Sequence, residues 1–181
     1  MKRGRRARFD ACTRSPDHAV APSRILPLRR GSLRGRQPHA ASLQLCYCTI
    51  CRKTAGGGGY AINLGADSRT LAIEDRSAIG IYRAEIADEH GACTTSEGER
   101  NFCTRCATAL WLYDPRWPTL LHPFASAIDT PLPVPPSRTH ILLGSKAAWV
   151  VPRIEPDDLV FDAYFDQSID EWHESRGLWV D

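Results

Sequence analysis

Five cysteines in two tight groups are the residues of this chain whose types and spacing best suit chemistry. The first group, C-x-C-x-x-C, contains Cys46, Cys48 and Cys51, and the second, C-x-x-C, contains Cys103 and Cys106. A gap of two residues lets a tight turn aim two thiolates at one point, as a tetrahedral zinc ion with Zn–S bonds of about 2.3 Å requires. Both groups therefore predict zinc binding.

The spacing admits two arrangements of the metal. In one, Cys48, Cys51, Cys103 and Cys106 close around a single ion in a four-thiolate structural site, and Cys46 is spare. In the other, the first group shares an ion whose fourth position is open to water or a substrate thiolate, and the second group belongs to another ion. Spacing alone favours the closed site, because structural sites commonly use paired C-x-x-C turns.

The elements that must position these cysteines are predicted to be mainly β. Short strand candidates separated by turn signals are 60–64, 70–73, 79–83, 99–103, 109–113 and 140–143. The glycine run 56–59 predicts a sharp turn or a close backbone approach directly after the first cysteine group. The proline-rich stretch 129–136 is expected to lie outside any sheet. A helix is predicted only at 168–173, with Ser168 as N-cap and Glu171 completing a capping box.

Charge divides the chain into two parts. Residues 1–36 carry a net charge of +9, so the other 145 of the 181 residues carry about −7. We predict that residues 1–42 form a basic, disordered segment, or that this start is not the native one. Residues 43–178 are predicted to form one zinc-binding domain.

Composition also narrows the location. No apolar run approaches the roughly eighteen residues that a membrane span needs. Seven cysteines could form a disulfide framework, but their spacing favours metal, and no apolar signal segment follows the start. A reducing cytoplasm is therefore the predicted location.

Three separated motifs resemble the glutathione-dependent formaldehyde-activating enzymes and their centromere protein V relatives. The motifs are 46–53 followed by glycines, 100–106, and His140-Ile141 with 145–149, and the closing segment 168–173 matches as well. The resemblance covers about residues 43–178. It implies a small β-tent fold of antiparallel sheets around zinc knuckles, with a short C-terminal helix.

The resemblance also implies roles for the cysteines. In the family, C-x-C-x-x-C holds the zinc near which a glutathione adduct is processed, which carries over to Cys46, Cys48 and Cys51. The later C-x-x-C, here Cys103 and Cys106, joins an earlier C-x-C in a structural zinc site. These roles reverse the preference that spacing alone supports.

The chain departs from the family pattern at the structural site. Family members open with Gly-Ser-Cys-x-Cys-Gly, whereas residues 31–35 are Gly-Ser-Leu-Arg-Gly. The loss of two thiolate ligands should reduce the free energy of unfolding by several kcal/mol or abolish the zinc site. A shifted reading frame or a decayed paralogue would explain it. Smaller departures are Ala107 and Ala109, where relatives usually carry Gly and Pro. Residues that could replace the missing ligands are Cys12, His39, His90 and Cys93.

The function implied by the resemblance is that of a zinc-dependent carbon–sulfur lyase acting on S-(hydroxymethyl)glutathione or another thiol–aldehyde adduct. A small thiol such as glutathione is the predicted partner, and self-association is left open. No membrane partner is expected. Nucleic acid is not expected either, because the body of the chain is acidic. The alternatives are a non-catalytic zinc-binding interaction module and a decayed chain. Weaker candidates, each with an ordinary structural role as the alternative, are Arg52, Lys53, Tyr60, Asn63, His122 and His140.

Overall fold

A computed structural model describes residues 37–38, 43–55, 57–73, 75–129, 132, 134–165 and 179–180. The predicted helix at 168–173 and nearly all of the predicted basic segment 1–42 lie outside these residues. Among the described residues, no helix is long and apolar enough to cross a membrane.

The described residues form eleven strands and few helices, which confirms the mainly β prediction. In chain order, β1 to β11 are Gln37–Pro38, Leu43–Cys46, Ala61–Asn63, Ala66–Asp67, Ile79–Ala87, Cys93–Cys103, Ala109–Tyr113, Leu120–Pro123, Arg138–Ile141, Leu159–Val160 and Trp179–Val180. The α-helix α1 is Thr49–Thr54, and the 3-10 helices are Ser68–Thr70, Arg76–Ala78, Ala125–Ala127 and Leu143–Ser145.

Two larger sheets carry most of these strands. The five-stranded sheet has the order β4-β8-β7-β6-β5 and is antiparallel throughout. The four-stranded sheet has the order β10-β9-β2-β3, and β9 runs parallel to both β2 and β10. The long connection between β2 and β9 permits this parallel pairing, which a hairpin could not make. Strands β1 and β11 pair separately.

The core that joins the two larger sheets contains two cysteines of the first group. Its buried residues are Cys46, Cys51, Ala61, Phe124 and Ile141. Phe124 follows β8 and forms an isolated bridge with Asn63, at the end of β3. The N–H of Leu64 donates to the carbonyl oxygen of Pro123 over 2.9 Å. The first cysteine group therefore lies where the sheets meet.

Several strand predictions agree with the structure. The prediction 109–113 matches β7, and 60–64 contains β3. The predictions 79–83 and 99–103 fall within the longer strands β5 and β6. The proline-rich stretch 129–136 contributes no strand among its described residues.

The prediction of a strand at 70–73 is wrong. The carboxylate of Asp67 accepts the backbone N–H of Arg69 over 2.9 Å, which starts a 3-10 turn at Ser68–Thr70. Leu71 and Ile73 then pack against a cluster around buried Trp111 without joining a sheet. Their apolar character serves packing and not strand pairing.

The prediction at 140–143 is displaced by two residues. β9 ends at Ile141, because Leu142 adopts a left-handed conformation with φ 60°. A 3-10 helix then covers Leu143–Ser145.

The glycine run makes the predicted turn and close approach at Gly59. Its φ is +85°, and a Cβ there would lie 2.2 Å from Cγ2 of Val150. Only glycine fits both the backbone conformation and the available space. Gly56 lies outside the described residues.

Candidate metal centre

Local geometry explains how the first three cysteines converge. Strand β2 ends at Cys46, and the extended chain places Tyr47 on the opposite side. Cys48 is the N-cap of α1, with φ −61° and ψ 155°, and its Sγ accepts the backbone N–H of Cys51 over 3.2 Å. One helical turn then returns the side chain of Cys51 to the same side. The prediction of a single helix at 168–173 missed α1, because cysteine is not a usual N-cap residue.

The three sulfurs form a group that could hold a metal ion. Their Sγ atoms all lie within 4.8 Å of one another, and Cys46 and Cys51 are buried while Cys48 is partly exposed. Two ligands of a tetrahedral zinc ion with bonds of about 2.3 Å are about 3.8 Å apart, so small shifts suffice. The described residues contain no second such group of three His, Cys, Asp or Glu side chains.

The thiols of this group perturb one another. Hydrogen bonds from Cys46 and then Cys51 hold the pKa of Cys48 well below its usual range. Hydrogen bonds with Cys48 and then Cys51, together with burial, raise the pKa of Cys46. For Cys51, the bond with Cys46 lowers the pKa, but the bond with Cys48 and burial outweigh it and raise the pKa to about 11.

The second cysteine group lies elsewhere. Cys103 ends β6, is fully buried and packs with Leu110 and Trp111 in a separate core cluster. Cys106 is exposed, and its Sγ lies 3.0 Å from Oγ1 of Thr108. The structure does not bring these sulfurs to Cys48 and Cys51, so the closed four-thiolate site that spacing favoured does not form.

Two of the replacement ligands considered for the second group lie too far from it. Cys93 begins β6 and Cys103 ends it, so ten residue steps of about 3.3 Å separate them. His90 lies beyond Cys93 in the same hairpin. The remaining candidates, Cys12 and His39, lie outside the described residues, and zinc binding by Cys103 and Cys106 stays a prediction.

A buried hydrogen-bond chain supports the backbone between the first two cysteines. The hydroxyl of Tyr47 lies 2.9 Å from Nδ1 of His140, and Nε2 of His140 lies 3.2 Å from Oδ2 of Asp158. Tyr47 and His140 are both fully buried. Donation from Nε2 of His140 to Asp158, with acceptance at Nδ1 from the hydroxyl of Tyr47, satisfies both partners.

The environment shifts the pKa values at both ends of this chain. Burial first, then the neighbouring Tyr60 and Asp158, raises the pKa of Tyr47 to about 12. Burial would raise the pKa of Asp158, but backbone N–H groups of Glu155 and Arg138 and the bond with His140 hold it below its ordinary value. Tyr47 therefore keeps its proton and Asp158 its charge at neutral pH.

Residues 161–165 pack beside the three cysteines. Phe161 and Phe165 pack against the core cluster of the cysteines, with their ring centroids 4.8 Å apart. The N–H of Leu142 donates to the carbonyl oxygen of Ala163 over 3.0 Å. Local desolvation, and then the negative charge of the three cysteines, raises the pKa of Tyr164, although most of its side chain is exposed. Sequence reasoning missed Tyr164 and Asp158, because neither belongs to a motif.

The weaker candidates have mixed outcomes. Tyr60 packs its ring 5.2 Å from that of Tyr47, and Lys53 is exposed. His122 Nδ1 lies 3.0 Å from the carbonyl oxygen of Leu64, and burial lowers its pKa, so it is a neutral structural histidine. Buried polar atoms without a hydrogen-bond partner among the described residues are Nε of Arg52, Oδ1 of Asn63, and Nε and Nη1 of Arg100.

Comparison with known proteins gives two findings. A protein-family model described as "Glutathione-dependent formaldehyde-activating enzyme" matches residues 32–144. A curated protein of Halomonas elongata, named "Putative glutathione-dependent formaldehyde-activating enzyme", is 53% identical over 150 residues, which cover 82% of this chain and 92% of that protein. The three converging cysteines lie within the matched region. The chain belongs to the glutathione-dependent formaldehyde-activating enzyme family.

Proposed function

We propose that this chain catalyses the reversible addition of a small thiol, with glutathione as the first candidate, to formaldehyde or a related aldehyde. In the forward direction a bond forms between the thiol sulfur and the carbonyl carbon, and the thiol proton passes to the carbonyl oxygen. The reverse direction is carbon–sulfur bond cleavage. The observation that carries the proposal is the convergence of three sulfurs at a partly open position, in a chain of this family.

The three cysteines are proposed as the ligands of a zinc ion. Cys46 and Cys51 would hold it from the core and Cys48 from the partly exposed side. A zinc ion with one open position would bind the substrate sulfur and favour its thiolate form. Because three thiolates outweigh the ion's charge, this donor set suits thiol binding better than activation of water.

The protein around the centre contributes orientation. The buried bond from Tyr47 to His140 holds the backbone between Cys46 and Cys48, so the open side of the centre keeps a defined geometry. The phenol of Tyr164 is protonated at neutral pH, as that of an ordinary tyrosine is, and it can donate a hydrogen bond to a substrate oxygen near the sulfurs.

Exchange spectroscopy by proton NMR tests the reaction. Zinc-loaded full-length protein is mixed with glutathione and formaldehyde, and exchange between the free thiol and its hydroxymethyl adduct is measured above the uncatalysed rate. We expect acceleration that Cys48→Ser abolishes. The matched control Cys93→Ser replaces an exposed cysteine at the other end of β6 and should keep the full rate. No acceleration by zinc-loaded wild-type protein would contradict the proposal and favour a binding module.

Several related predictions belong to the same proposal. One zinc ion per chain would mean that the first group binds alone, and two would mean that Cys103 and Cys106 find ligands outside the described residues. The proposal also includes a single domain at 43–178. It further includes a reducing cytoplasmic location, which would keep these thiols free.

A further inference from the structure

Arg100 is a buried cation that forms no ion pair with a carboxylate of the described residues. Its side chain is 9% exposed, and its Nε and Nη1 atoms are fully buried without a hydrogen-bond partner among the described residues. A buried charge without a partner costs several kcal/mol, so a folded chain rarely retains one without a reason.

Two carboxylates in this part of the sheet already have partners. Glu99, the preceding residue, forms an ion pair with Arg83, which lies opposite it in register. Asp114 accepts Nη2 of Arg116 over 2.6 Å. Neither carboxylate therefore serves Arg100.

The register of the sheet directs Arg100 towards the three cysteines. Arg100 on β6 lies directly opposite Leu112 on β7. Directly opposed residues of antiparallel strands point to the same face. Leu112 packs against the core cluster that contains Cys46 and Cys51. Arg100 therefore projects from the sheet on the side of the cysteines, and its positive charge lowers the pKa of Cys51.

We propose that Arg100 is a positioning residue of the metal centre, whose buried guanidinium balances the charge of the three thiolates of Cys46, Cys48 and Cys51. This inference rests on the proposed function only in taking these cysteines as metal ligands. Three thiolates and a divalent ion carry a net charge of −1, which one guanidinium neutralises. The Nε and Nη1 atoms of Arg100 are closed to solvent, so the internal thiolates are a better match for them than a carboxylate of an incoming substrate.

The inference predicts opposite effects in the metal-free and metal-loaded states. Without metal, no ion holds all three sulfurs as thiolates and the buried guanidinium lacks its full counter-charge, so Arg100→Met should leave the resistance to urea unchanged or raise it. With metal, the same change removes the counter-charge and should lower zinc affinity by about 10-fold to 100-fold, as outer-shell substitutions commonly do. A merely structural arginine would stabilise both states.

The experiment measures zinc affinity by competition with a chromophoric chelator, and urea unfolding in excess EDTA, on full-length protein. Arg83→Met is the matched control, because it removes the same charge from the same sheet at an exposed position. We expect it to leave zinc affinity unchanged. Arg100→Lys keeps the positive charge but loses the planar guanidinium group. Its zinc affinity should therefore fall between those of wild type and Arg100→Met.

Two results would overturn the inference. One is an Arg100→Met protein whose zinc affinity stays within about threefold of wild type, well below the expected loss. The other is an equal loss of stability with and without metal. If Arg100→Met does not fold, Arg100→Lys against Arg83→Lys decides: lower zinc affinity in the first supports the inference, and equal affinity refutes it.

Failure of the inference and failure of the proposed function give different results. Wild-type protein that binds zinc and accelerates thiol exchange, with no effect of Arg100→Met on affinity, refutes the inference alone. Reduced affinity in Arg100→Met without any wild-type catalysis refutes the proposed function alone. Wild-type protein without zinc affinity at the three cysteines refutes both.

Discussion

The two cysteine groups share a C-x-x-C spacing, yet the chain folds around them differently. Cys48 caps a helix and Cys51 lies in its first turn, which places their sulfurs beside that of Cys46 at the end of β2. Cys103 ends a strand in another core cluster, and Cys106 follows on an exposed turn. The C-x-x-C spacing alone therefore does not bring a group beside a third sulfur, because the packing around each group decides which side chains meet.

Matched substitutions of the more exposed cysteine in each group should give the largest difference in zinc affinity between the two groups. Cys48→Ser is expected to lower zinc affinity more than about 100-fold, above the range for outer-shell changes. The fold should survive, because a serine hydroxyl is itself a good N-cap acceptor. Cys106→Ser should leave the affinity of the first centre unchanged.

Chelator competition and circular dichroism of both variants provide the measurement. Equal losses of zinc affinity would show that the two groups cooperate and that the contrast drawn between them is wrong.

The hydrogen-bond chain behind Tyr47 supports only the first group. His140→Leu should lower the free energy of unfolding by about 2–3 kcal/mol, because it leaves the buried Tyr47 hydroxyl without a partner and removes one of the three hydrogen bonds that the Asp158 carboxylate accepts. Urea unfolding measures the loss. The double variant with Tyr47→Phe should recover part of it, and a loss below about 0.5 kcal/mol, ordinary for surface changes, would speak against a structural role for the chain.

The glycine turn after the first group offers a sharper test of close packing. Gly59→Ala should cost about 2 kcal/mol, because its φ is +85° and the new Cβ would meet Val150. Gly91→Ala is the control, since its φ is +83° but no atom lies within 4 Å of a Cβ there. It should cost only the backbone term of about 1 kcal/mol. Equal costs in thermal unfolding would mean that contact with Val150 is relieved without penalty.

The turn after the second group should respond in the opposite direction. Ala107 has φ 58°, a left-handed conformation that an alanine adopts at a cost of about 1 kcal/mol. Ala107→Gly should therefore raise the free energy of unfolding by up to about 1 kcal/mol, less the greater entropy that glycine gives the unfolded chain. A lower unfolding temperature for the variant would show that the turn carries no strain.

Sequence patterns predicted the strands that have regular alternation or a long hairpin. The prediction 109–113 matches β7 because its apolar residues follow one another between turn signals. The predicted strand at 70–73 does not form, because the backbone N–H of Arg69 donates to the carboxylate of Asp67 and starts a 3-10 turn instead. Helix α1 was missed because only six residues and an unusual cap define it.

The candidate site divides in the same way. Spacing marked Cys46, Cys48 and Cys51 as candidate ligands, because the chemistry of zinc demands neighbouring thiolates. It favoured a site without Cys46, and only the family resemblance grouped the three. Arg100, Asp158 and Tyr164 could not be assigned to the site, because each reaches it through sheet register or packing across long sequence separations.

The sequence by itself determined the donor set, the local turn that joins Cys48 to Cys51, and the family, since these depend on residue types and short spacings. Tertiary structure decided that the sulfurs of Cys46, Cys48 and Cys51 converge while Cys103 lies in a different cluster. It also decided that a buried arginine faces the sulfurs. Both outcomes follow from how two sheets pack and which strands pair, and the burial free energy of distant residues governs that choice.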